Sequence, residues 1–262
     1  MKISKMTNEK LTIMFILKQA ITMKSAIITG TSSGIGFAIA EKVLSLGYKV
    51  YGLSRTKPER LMDNKNFQFV ECDLRDAKII RRKVDEIQAN DKAIYLLIHN
   101  AGFGLIGLHE ELDYKKLEEI IQVNLTAPIL ITRLLLRQIK ANQGTIIHIS
   151  SVTAKKSSPL ASAYSAAKAG LTQFGESLFD EVRKTGVKIC NIHPDVTKTN
   201  FYNELSIKEN PDPDSYLDPE TIADAVEMIL NQKNTLAVTD ITLQPQKHKI
   251  ERRATTSQVS IS

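Results

Sequence analysis

The chain has 262 residues, of which 42% are hydrophobic, and this is enough to fill the core of one sizeable α/β domain. The formal net charge at pH 7 is +6, but the excess lies at the ends: residues 1–22 hold four lysines and one glutamate, and residues 247–262 hold four basic residues and one glutamate. Because the body of the chain is close to neutral, we expect no nucleic-acid partner and no membrane partner.

The first 22 residues contain the apolar run Leu11–Leu17, which is too short to span a bilayer and precedes no signal-peptide cleavage pattern. Met23 then starts MKSAIITG, as expected where the first strand of a domain follows at once. We predict an N-terminal extension over 1–22, either disordered or the product of a misassigned start. A folded domain over 23–246 and a basic polar tail over 247–262 complete the chain.

Short apolar runs alternate with segments of helical periodicity along the domain. The predicted strands are Ser25–Thr29, Lys49–Leu53, Phe67–Glu71, Ala93–His99, Gly144–Ser150, Val187–Ile192 and Thr235–Leu243. The predicted helices are Ile35–Leu46, Asp76–Ala89, Leu112–Lys140 (one helix or two), Ala163–Lys184 and Pro219–Asn231. This alternation predicts a single-domain α/β fold of the Rossmann type, a doubly wound parallel sheet of about seven strands flanked by helices.

Two other features bear on the organisation of the domain. The polar, proline-containing segment Phe201–Pro219 is predicted to be a lid or a disordered loop, and Phe201, Tyr202 and Leu205 would suit a lid. Cys72 and Cys190 form no CxxC pattern, so we expect reduced, buried thiols in a cytoplasmic protein. No histidine has metal-ligand spacing, and we predict no metal site.

The segment TGTSSGIG, Thr29–Gly36, joins the first strand to the first helix. Gly30, Gly34 and Gly36 permit a tight turn and let the backbone approach a pyrophosphate at the helix N-terminus. The spacing is GxxxGxG rather than GxGxxG, and taken alone it is also compatible with a plain strand–helix turn.

Tyr164 and Lys168 are four residues apart on a predicted helix and therefore share a face. A tyrosine of ordinary pKa, about 10, is a poor base near neutral pH. A nearby ammonium group favours the phenolate and lowers that pKa. The tyrosine can then give or accept a proton as a general acid or base. Taken alone, this motif is also compatible with a tyrosine and a lysine that lie exposed on a helix surface.

The motifs and their order resemble those of the short-chain dehydrogenase/reductase family, from about Lys24 to Thr199 and less closely to Leu243. TGTSSGIG resembles the family's TGxxxGIG, and HNAG resembles its NNAG. The segment VNL resembles the one that carries the family's catalytic asparagine, and SSVTAKKSSPLASAYSAAK resembles its Ser…Tyr-x-x-x-Lys segment. The segment HPDVTKT resembles its PGxxxT motif. The resemblance implies an enzyme that acts on the CH–OH group of donors and exchanges a hydride between a nicotinamide cofactor and a carbonyl or secondary alcohol.

The resemblance also implies four catalytic residues. They are Asn124, Ser151, Tyr164 and Lys168. The family's serine precedes the tyrosine by thirteen residues, which selects Ser151 over Ser150 to hold the substrate oxygen. Adjacent side chains of an extended segment point to opposite faces, so Ser150 would be structural. Lys168 would also hold the ribose, and Asn124 would anchor a water molecule that relays protons to Lys168.

The end of the second strand bears on cofactor choice. An acidic residue about 20 positions past the glycines would bind the ribose 2′-hydroxyl of NAD, whereas Ser54 and Arg55 suit a 2′-phosphate. We therefore predict NADP(H) in preference to NAD(H). Two observations leave alternatives open: many NADP-using relatives carry Arg or Lys where Ser33 stands, and Arg55 is also compatible with a solvated loop charge.

The other cofactor contacts follow from the resemblance, in which Asp73 binds the adenine amino group and Leu74 flanks the ring. The full predicted set is Gly30, Ser32, Ser33, Gly34, Ile35, Gly36, Ser54, Arg55, Asp73, Leu74, Asn100, Ala101, Gly102, Tyr164, Lys168, Pro194, Val196 and Thr199. Asn100 to Gly102 would line the adenine ribose and the crevice of the sheet. Asp195 replaces the glycine of PGxxxT and would bring a charge near the nicotinamide.

The function predicted from these residues is NADP(H)-dependent hydride transfer to or from a carbonyl compound or secondary alcohol, with Tyr164 as the general acid/base. The candidate pocket residues are mostly apolar and favour a medium-sized hydrophobic substrate: Phe103, Leu105, Val152, Leu160 and Phe201. The alternative is a catalytically silent NADP-binding regulatory protein on the same fold, against which the four intact catalytic residues argue.

Members of the family usually pair through two long helices, here the predicted Leu112–Lys140 and Ala163–Lys184. The candidate interface residues on them are Ile131, Leu134, Leu135 and Phe174. We predict a homodimer, with a homotetramer as the alternative, acting on a small molecule in the cytoplasm.

Overall fold

The computed structural model describes residues 23–202, 205, 207–247 and 249–252. The predicted extension over 1–22 lies outside the described residues, as do residues 248 and 253–262 of the predicted tail. The boundaries of the three predicted parts of the chain stay a prediction.

The described residues form nine strands and seven α-helices. The strands are β1 Ser25–Thr29, β2 Lys49–Ser54, β3 Phe67–Glu71, β4 Ile94–His99, β5 Thr145–Ile149, β6 Lys188–Pro194, β7 Ile207–Glu209, β8 Asp240–Leu243 and β9 Ile250–Arg252. The helices are α1 Gly34–Ser45, α2 Glu59–Met62, α3 Ala77–Asn90, α4 Tyr114–Ile121, α5 Ala127–Asn142, α6 Ser162–Val182 and α7 Pro219–Leu230.

Seven parallel strands form the main sheet, in the order β3-β2-β1-β4-β5-β6-β8. The predicted Rossmann-type architecture is thereby confirmed. The chain runs outward from β1 to β3 and then returns to place β4 on the other side of β1. In such sheets the crevice at the carboxyl ends of the strands, where the direction reverses, is the place where ligands bind.

Both faces of the sheet are covered by helices, which explains why its strands are continuously apolar rather than alternating. Ile27 and Ile28 are adjacent and both fully buried, because consecutive side chains of β1 point to opposite faces. Ile28 packs in a cluster with residues of α1 and α7, and Ile27 packs in a second cluster with residues of α3, α5 and α6.

Three differences between the predictions and the structure concern the sheets and the longest predicted helix. The predicted strand Thr235–Leu243 begins at Asp240, because the edge strand pairs only with Asn191–Pro194 of β6. The predicted helix Leu112–Lys140 is two helices joined by a π-helical turn, Gln122–Thr126.

The third difference is a small antiparallel sheet of β7 and β9, which was not predicted. It joins the segment predicted as a lid to the segment predicted as a polar tail.

The helical stretch Tyr114–Asn142 is long and apolar enough to cross a membrane by length and composition alone. Ile131 and Leu135 on it are fully buried in the cluster that covers the sheet, as in a core helix. Their predicted place in a subunit interface is therefore wrong, since these side chains are already used in the core of the chain. Leu134 and Phe174 are half-buried at the edge of the same cluster.

Candidate active site

The glycine turn lies between β1 and α1 at the carboxyl edge of the sheet. Gly30 (φ +75°) and Gly34 (φ +57°) adopt left-handed backbone that favours glycine. A Cβ atom on Gly34 would lie 3.0 Å from the Thr199 Cγ2 atom, so the turn and Thr199 border the same crevice. Ser33 precedes α1 without a capping hydrogen bond from its side chain, which leaves the first-turn N–H groups available to an anion.

Gly36 is required for close packing. A Cβ atom there would lie 2.1 Å from the carbonyl oxygen of Gly30 and 2.3 Å from Asn100 Nδ2. The Asn100 amide donates to the carbonyl oxygens of Thr29 (3.0 Å) and Gly30 (3.1 Å). Asn100 therefore holds the glycine turn to the end of β4, a role that the sequence analysis did not assign to it.

Gly36→Ala is expected to lower the free energy of unfolding by about 3 kcal/mol, because the methyl group collides with backbone atoms that have no room to move. Urea denaturation of the variant measures the effect. Gly47→Ala is the contrasting variant: its methyl group meets nothing within 4 Å, and only its φ of +83° opposes a side chain, at a cost of about 1 kcal/mol. Equal stabilities of Gly36→Ala and the unmodified protein would contradict this assignment of Gly36.

The carboxyl ends of β2 and β3 carry the residues predicted to select the cofactor. Ser54 is buried and its hydroxyl donates to the carbonyl oxygen of Thr56 (2.9 Å), whereas Arg55 is exposed. Asp73 forms a bidentate pair with Arg75, whose Nη2 lies 2.6 Å from Asp73 Oδ2. These hydrogen bonds hold the pKa of Asp73 below its ordinary value, burial opposes them, and the Arg55 charge adds to the lowering. The sequence analysis missed Arg75.

Tyr164 and Lys168 lie one turn apart near the start of α6. The Lys168 Nζ atom is 5.8 Å from the centre of the Tyr164 ring and donates to the carbonyl oxygen of Ile149 (2.8 Å). Burial lowers the pKa of Lys168 to about 8. Burial raises the pKa of Tyr164 to about 12, and a hydrogen bond with Ser151 acts in the opposite direction. The predicted lowering of the tyrosine pKa by Lys168 is therefore wrong for the protein's own groups.

The two candidate serines have different surroundings. The Ser150 hydroxyl is buried against α6, where it donates to the carbonyl oxygen of Lys168 (3.2 Å) and pairs with the Thr172 hydroxyl (2.8 Å). Ser151 starts the 3₁₀ turn Val152–Ala154, and its Oγ accepts hydrogen bonds from the Thr153 backbone N–H (3.2 Å) and hydroxyl (3.0 Å). With both bonds accepted, its own hydrogen remains for Tyr164 or a substrate oxygen.

Asn124 lies in the π-helical turn between α4 and α5 and is fully buried. Its Nδ2 donates to the carbonyl oxygens of Ile120 (3.0 Å) and Phe103 (3.2 Å), whereas its Oδ1 has no hydrogen-bond partner among the described residues. A Cβ atom on Gly102 would lie 2.4 Å from that Oδ1 and 3.4 Å from Lys168 Nζ. Asn124 and Lys168 thus border the same small space, and π-helical turns of this kind are frequent at functional sites.

Asp195 keeps the turn of the PGxxxT-like segment without the family's glycine. Among the described residues other than glycine, positive φ angles occur at Gln143 and Leu160, so Asp195 does not need the left-handed backbone. Its carboxylate is buried, accepts from the Val196 N–H (2.9 Å) and Gln244 Nε2 (3.1 Å), and lies 3.8 Å from Lys156 Nζ. The negative charge of Asp195 is therefore stabilised by hydrogen bonds and by the nearby Lys156 ammonium group.

The apolar residues predicted to form a pocket differ in their burial and in their contacts. The Phe201 ring lies 5.8 Å from the Tyr164 ring, and a Cβ atom on Gly104 would touch Phe201 at 2.9 Å. Val152 is buried beside Ser151, while Leu160 is exposed and has a φ of +67°. Phe103 and Leu105 are half-buried in the loop that packs near Phe201.

Both cysteines are buried free thiols, and burial raises the pKa values of Cys72 and Cys190 to about 11 and about 12. Across the described ranges, no group of three or more His, Cys, Asp and Glu side chains could hold a metal ion.

A doubly wound parallel sheet, with a glycine turn and a Ser–Tyr–Lys–Asn group at one edge, places the chain in the class of Rossmann-type α/β oxidoreductases. The family model for short chain dehydrogenases matches residues 24–210, and the chain belongs to this family.

Two relatives and one solved structure illustrate the likeness. The chain is 32% identical to the 3-oxoacyl-acyl-carrier-protein reductase FabG of Buchnera aphidicola subsp. Acyrthosiphon pisum, over 81% of this chain and 92% of the relative. It is 30% identical to the NADPH-dependent 3-dehydrocapnine reductase of Ornithobacterium rhinotracheale, over 72% of this chain and 71% of the relative. A metagenomic short-chain oxidoreductase in complex with NADP has 27% identity and a TM-score of 0.73, and the match covers 85% of this chain and 96% of that one.

Proposed function

We propose that the protein transfers a hydride between NADP(H) and the carbonyl carbon of a ketone or aldehyde, or the corresponding alcohol, with Tyr164 as general acid/base. The observation that carries the proposal is the grouping of Tyr164 with Ser151, to which it is hydrogen-bonded, and with Lys168 one helical turn away. The three residues lie at the carboxyl edge of the sheet, where the glycine turn also opens.

The residues at this edge fit a dinucleotide that carries a 2′-phosphate. The left-handed glycines and the uncapped start of α1 provide backbone N–H groups for a pyrophosphate. The ends of β2 and β3 bring the guanidinium groups of Arg55 and Arg75 near Asp73, and β2 ends in a neutral serine rather than a carboxylate. One relative named as NADPH-dependent and a related structure that contains NADP support the preference over NAD(H).

The mechanism assigns each side chain a task. When bound, the nicotinamide supplies the hydride and, once oxidised, a positive charge. Ser151 donates a hydrogen bond that orients the carbonyl oxygen, and the Tyr164 hydroxyl gives its proton to that oxygen as the carbon is reduced. Lys168 and Asn124 border the space next to Tyr164, and we propose that they return a proton to it through water. Alcohol oxidation uses the same residues in the reverse direction.

The surroundings of Tyr164 favour a medium-sized hydrophobic carbonyl compound. Phe201 packs against the tyrosine ring from the segment predicted as a lid, and Val152 is buried next to Ser151 in the chain. A small polar substrate would leave these apolar surfaces in contact with water, which is unfavourable.

We also propose that the protein works as a cytoplasmic homodimer, with a homotetramer as the alternative and with no nucleic-acid or membrane partner. Pairing through α4, α5 and α6 would cover the exposed Ile121 and the half-buried Leu134 and Phe174. Sedimentation equilibrium of the full chain measures the assembly.

Turnover of a carbonyl panel tests the function. Purified protein with NADPH is expected to oxidise the cofactor in the presence of hydrophobic ketones or aldehydes, and with NADP⁺ to oxidise the matching secondary alcohols. Cofactor binding with no turnover of any ketone, aldehyde or alcohol in the panel would favour the silent regulatory protein instead.

Arg55→Ala is expected to weaken NADPH binding about 10-fold or more, since a charge-assisted hydrogen bond to phosphate contributes roughly 1.5–3 kcal/mol. Binding of NADH, which lacks the phosphate, should change less than about 2-fold. Fluorescence titration measures both affinities. Arg81→Ala, an exposed arginine on α3, is the matched control. Equal losses for NADPH and NADH would show that Arg55 does not contact the 2′-phosphate.

A further inference from the structure

His193, near the end of β6, is fully buried directly behind Ser151. Its Nδ1 lies 3.1 Å from the backbone carbonyl oxygen of Ser151, and its Nε2 lies 2.8 Å from Asp240 Oδ2. Nothing in the mechanism above uses this side chain, although it touches the backbone of the residue that orients the substrate oxygen.

The partners of His193 hold its ring from two sides. The carbonyl oxygen of Ser151 lies at one ring nitrogen and the Asp240 carboxylate lies at the other, and both oxygens are hydrogen-bond acceptors. Because the ring is fully buried and has a partner at each nitrogen, its orientation is fixed.

Asp240 also reaches the far end of the same turn. It belongs to the edge strand β8, whose residues pair with Asn191–Pro194 of β6. Lys155 Nζ bonds to Asp240 Oδ1 and, at 3.1 Å, to Thr242 Oγ1. Since Ser151 starts the 3₁₀ turn and Lys155 follows it, the His193–Asp240 pair is connected to both ends of the segment that carries the serine hydroxyl.

We propose that His193, held by Asp240, is a positioning residue that sets the orientation of Ser151 toward Tyr164 and the substrate oxygen. The inference rests on the proposed function, in which the Ser151 hydroxyl orients that oxygen. The contact with His193, together with the hydrogen bond that the Ala154 N–H donates (3.0 Å), fixes the Ser151 carbonyl and therefore the peptide plane that leads into the turn. A displacement of the hydroxyl by about 1 Å is enough to cost a large factor in rate.

His193→Gln and Asp240→Asn test the pair from both sides. Glutamine and asparagine keep hydrogen-bonding groups but lack the imidazole ring and the carboxylate, and we expect kcat to fall about 10-fold or more in each variant. The dissociation constant for NADPH should stay within about 2-fold, because neither residue belongs to the predicted cofactor site. Asp180→Asn is the matched control: it changes an exposed carboxylate on α6 that pairs with Arg183, and it should keep kcat within about 2-fold.

A double-mutant cycle distinguishes positioning from a general structural role. In a Ser151→Ala background there is no hydroxyl to position, so His193→Gln should reduce kcat by less than about 2-fold further. The same loss in both backgrounds would overturn the proposal.

Long-range ¹H–¹⁵N spectra give a readout that does not depend on activity. In the unmodified protein each ring nitrogen of His193 should give a single signal, and Asp240→Asn should shift the Nε2 signal. An Nε2 signal that Asp240→Asn leaves unchanged would overturn the inference even if the enzyme is active. Absence of turnover by the unmodified protein would instead refute the proposed function, and the spectra would still report on the ring.

Discussion

Tyr164→Phe is expected to lower kcat about 10³-fold, since a positioned general acid contributes roughly 10²–10⁴-fold. Phenylalanine keeps the ring that packs 5.8 Å from Phe201 and loses only the hydroxyl that bonds to Ser151. The fold should therefore be unchanged, and NADPH should still bind to the variant. Single-turnover oxidation of bound NADPH measures the chemical step, and fluorescence titration measures cofactor binding.

Tyr48→Phe is the matched control, because Tyr48 is a half-buried tyrosine whose pKa burial also raises, and it packs against the cluster between α1 and α7 rather than in the site. This variant should keep full activity. If Tyr164→Phe kept kcat within about 5-fold, Tyr164 would not be the proton donor, and water bound by Ser151 would have to be considered in its place.

Most of the sheet could be predicted because the sequence patterns that identify strands and helices are local. The alternation of apolar runs and helical segments fixes parallel pairing, and all seven strands of the main sheet were predicted, six of them with ends that differ by two residues or fewer. The exception is β8, where the predicted strand began five residues early, at Thr235 rather than Asp240. Apolar character alone does not show that the strand pairing with β6 begins only at Asp240.

The sequence placed Tyr164 and Lys168 on one helix but did not show that burial raises the tyrosine pKa. Burial disfavours the charged form of a side chain, and here it depends on neighbours that are distant in the sequence, such as Phe201. The π-helical turn at Asn124 was likewise invisible, since a one-residue shift in helical hydrogen bonds leaves no mark on the periodicity of the sequence. Arg75 and His193 were missed because their roles arise from contacts with Asp73 and Ser151.

Lys168→Met is expected to make the protein more stable and nearly inactive. The pKa of Lys168 is lowered from its ordinary 10.5 to about 8 by burial, a difference that corresponds to about 3 kcal/mol against the charged form at neutral pH. Methionine avoids that cost and forfeits the hydrogen bond to the Ile149 carbonyl oxygen, worth about 1 kcal/mol. The net gain of about 2 kcal/mol should raise Tm by about 4–8 °C, while kcat should fall about 10²-fold or more.

The pH dependence of the difference in stability between Lys168→Met and the unmodified protein tests this explanation independently. Because the folded protein binds the Lys168 proton more weakly than the unfolded chain, the cost is fully present below pH 8 and disappears as the pH rises from about 8 to 10.5. The stability advantage of Lys168→Met should therefore shrink across this window, as measured by urea unfolding at each pH. Lys78→Met, at an exposed lysine on α3, should show no such change. If Lys168→Met were less stable than the unmodified protein at pH 7, the expectation would be contradicted. The ammonium group of Lys168 would then be better solvated than its burial implies, and it would not destabilise the folded protein.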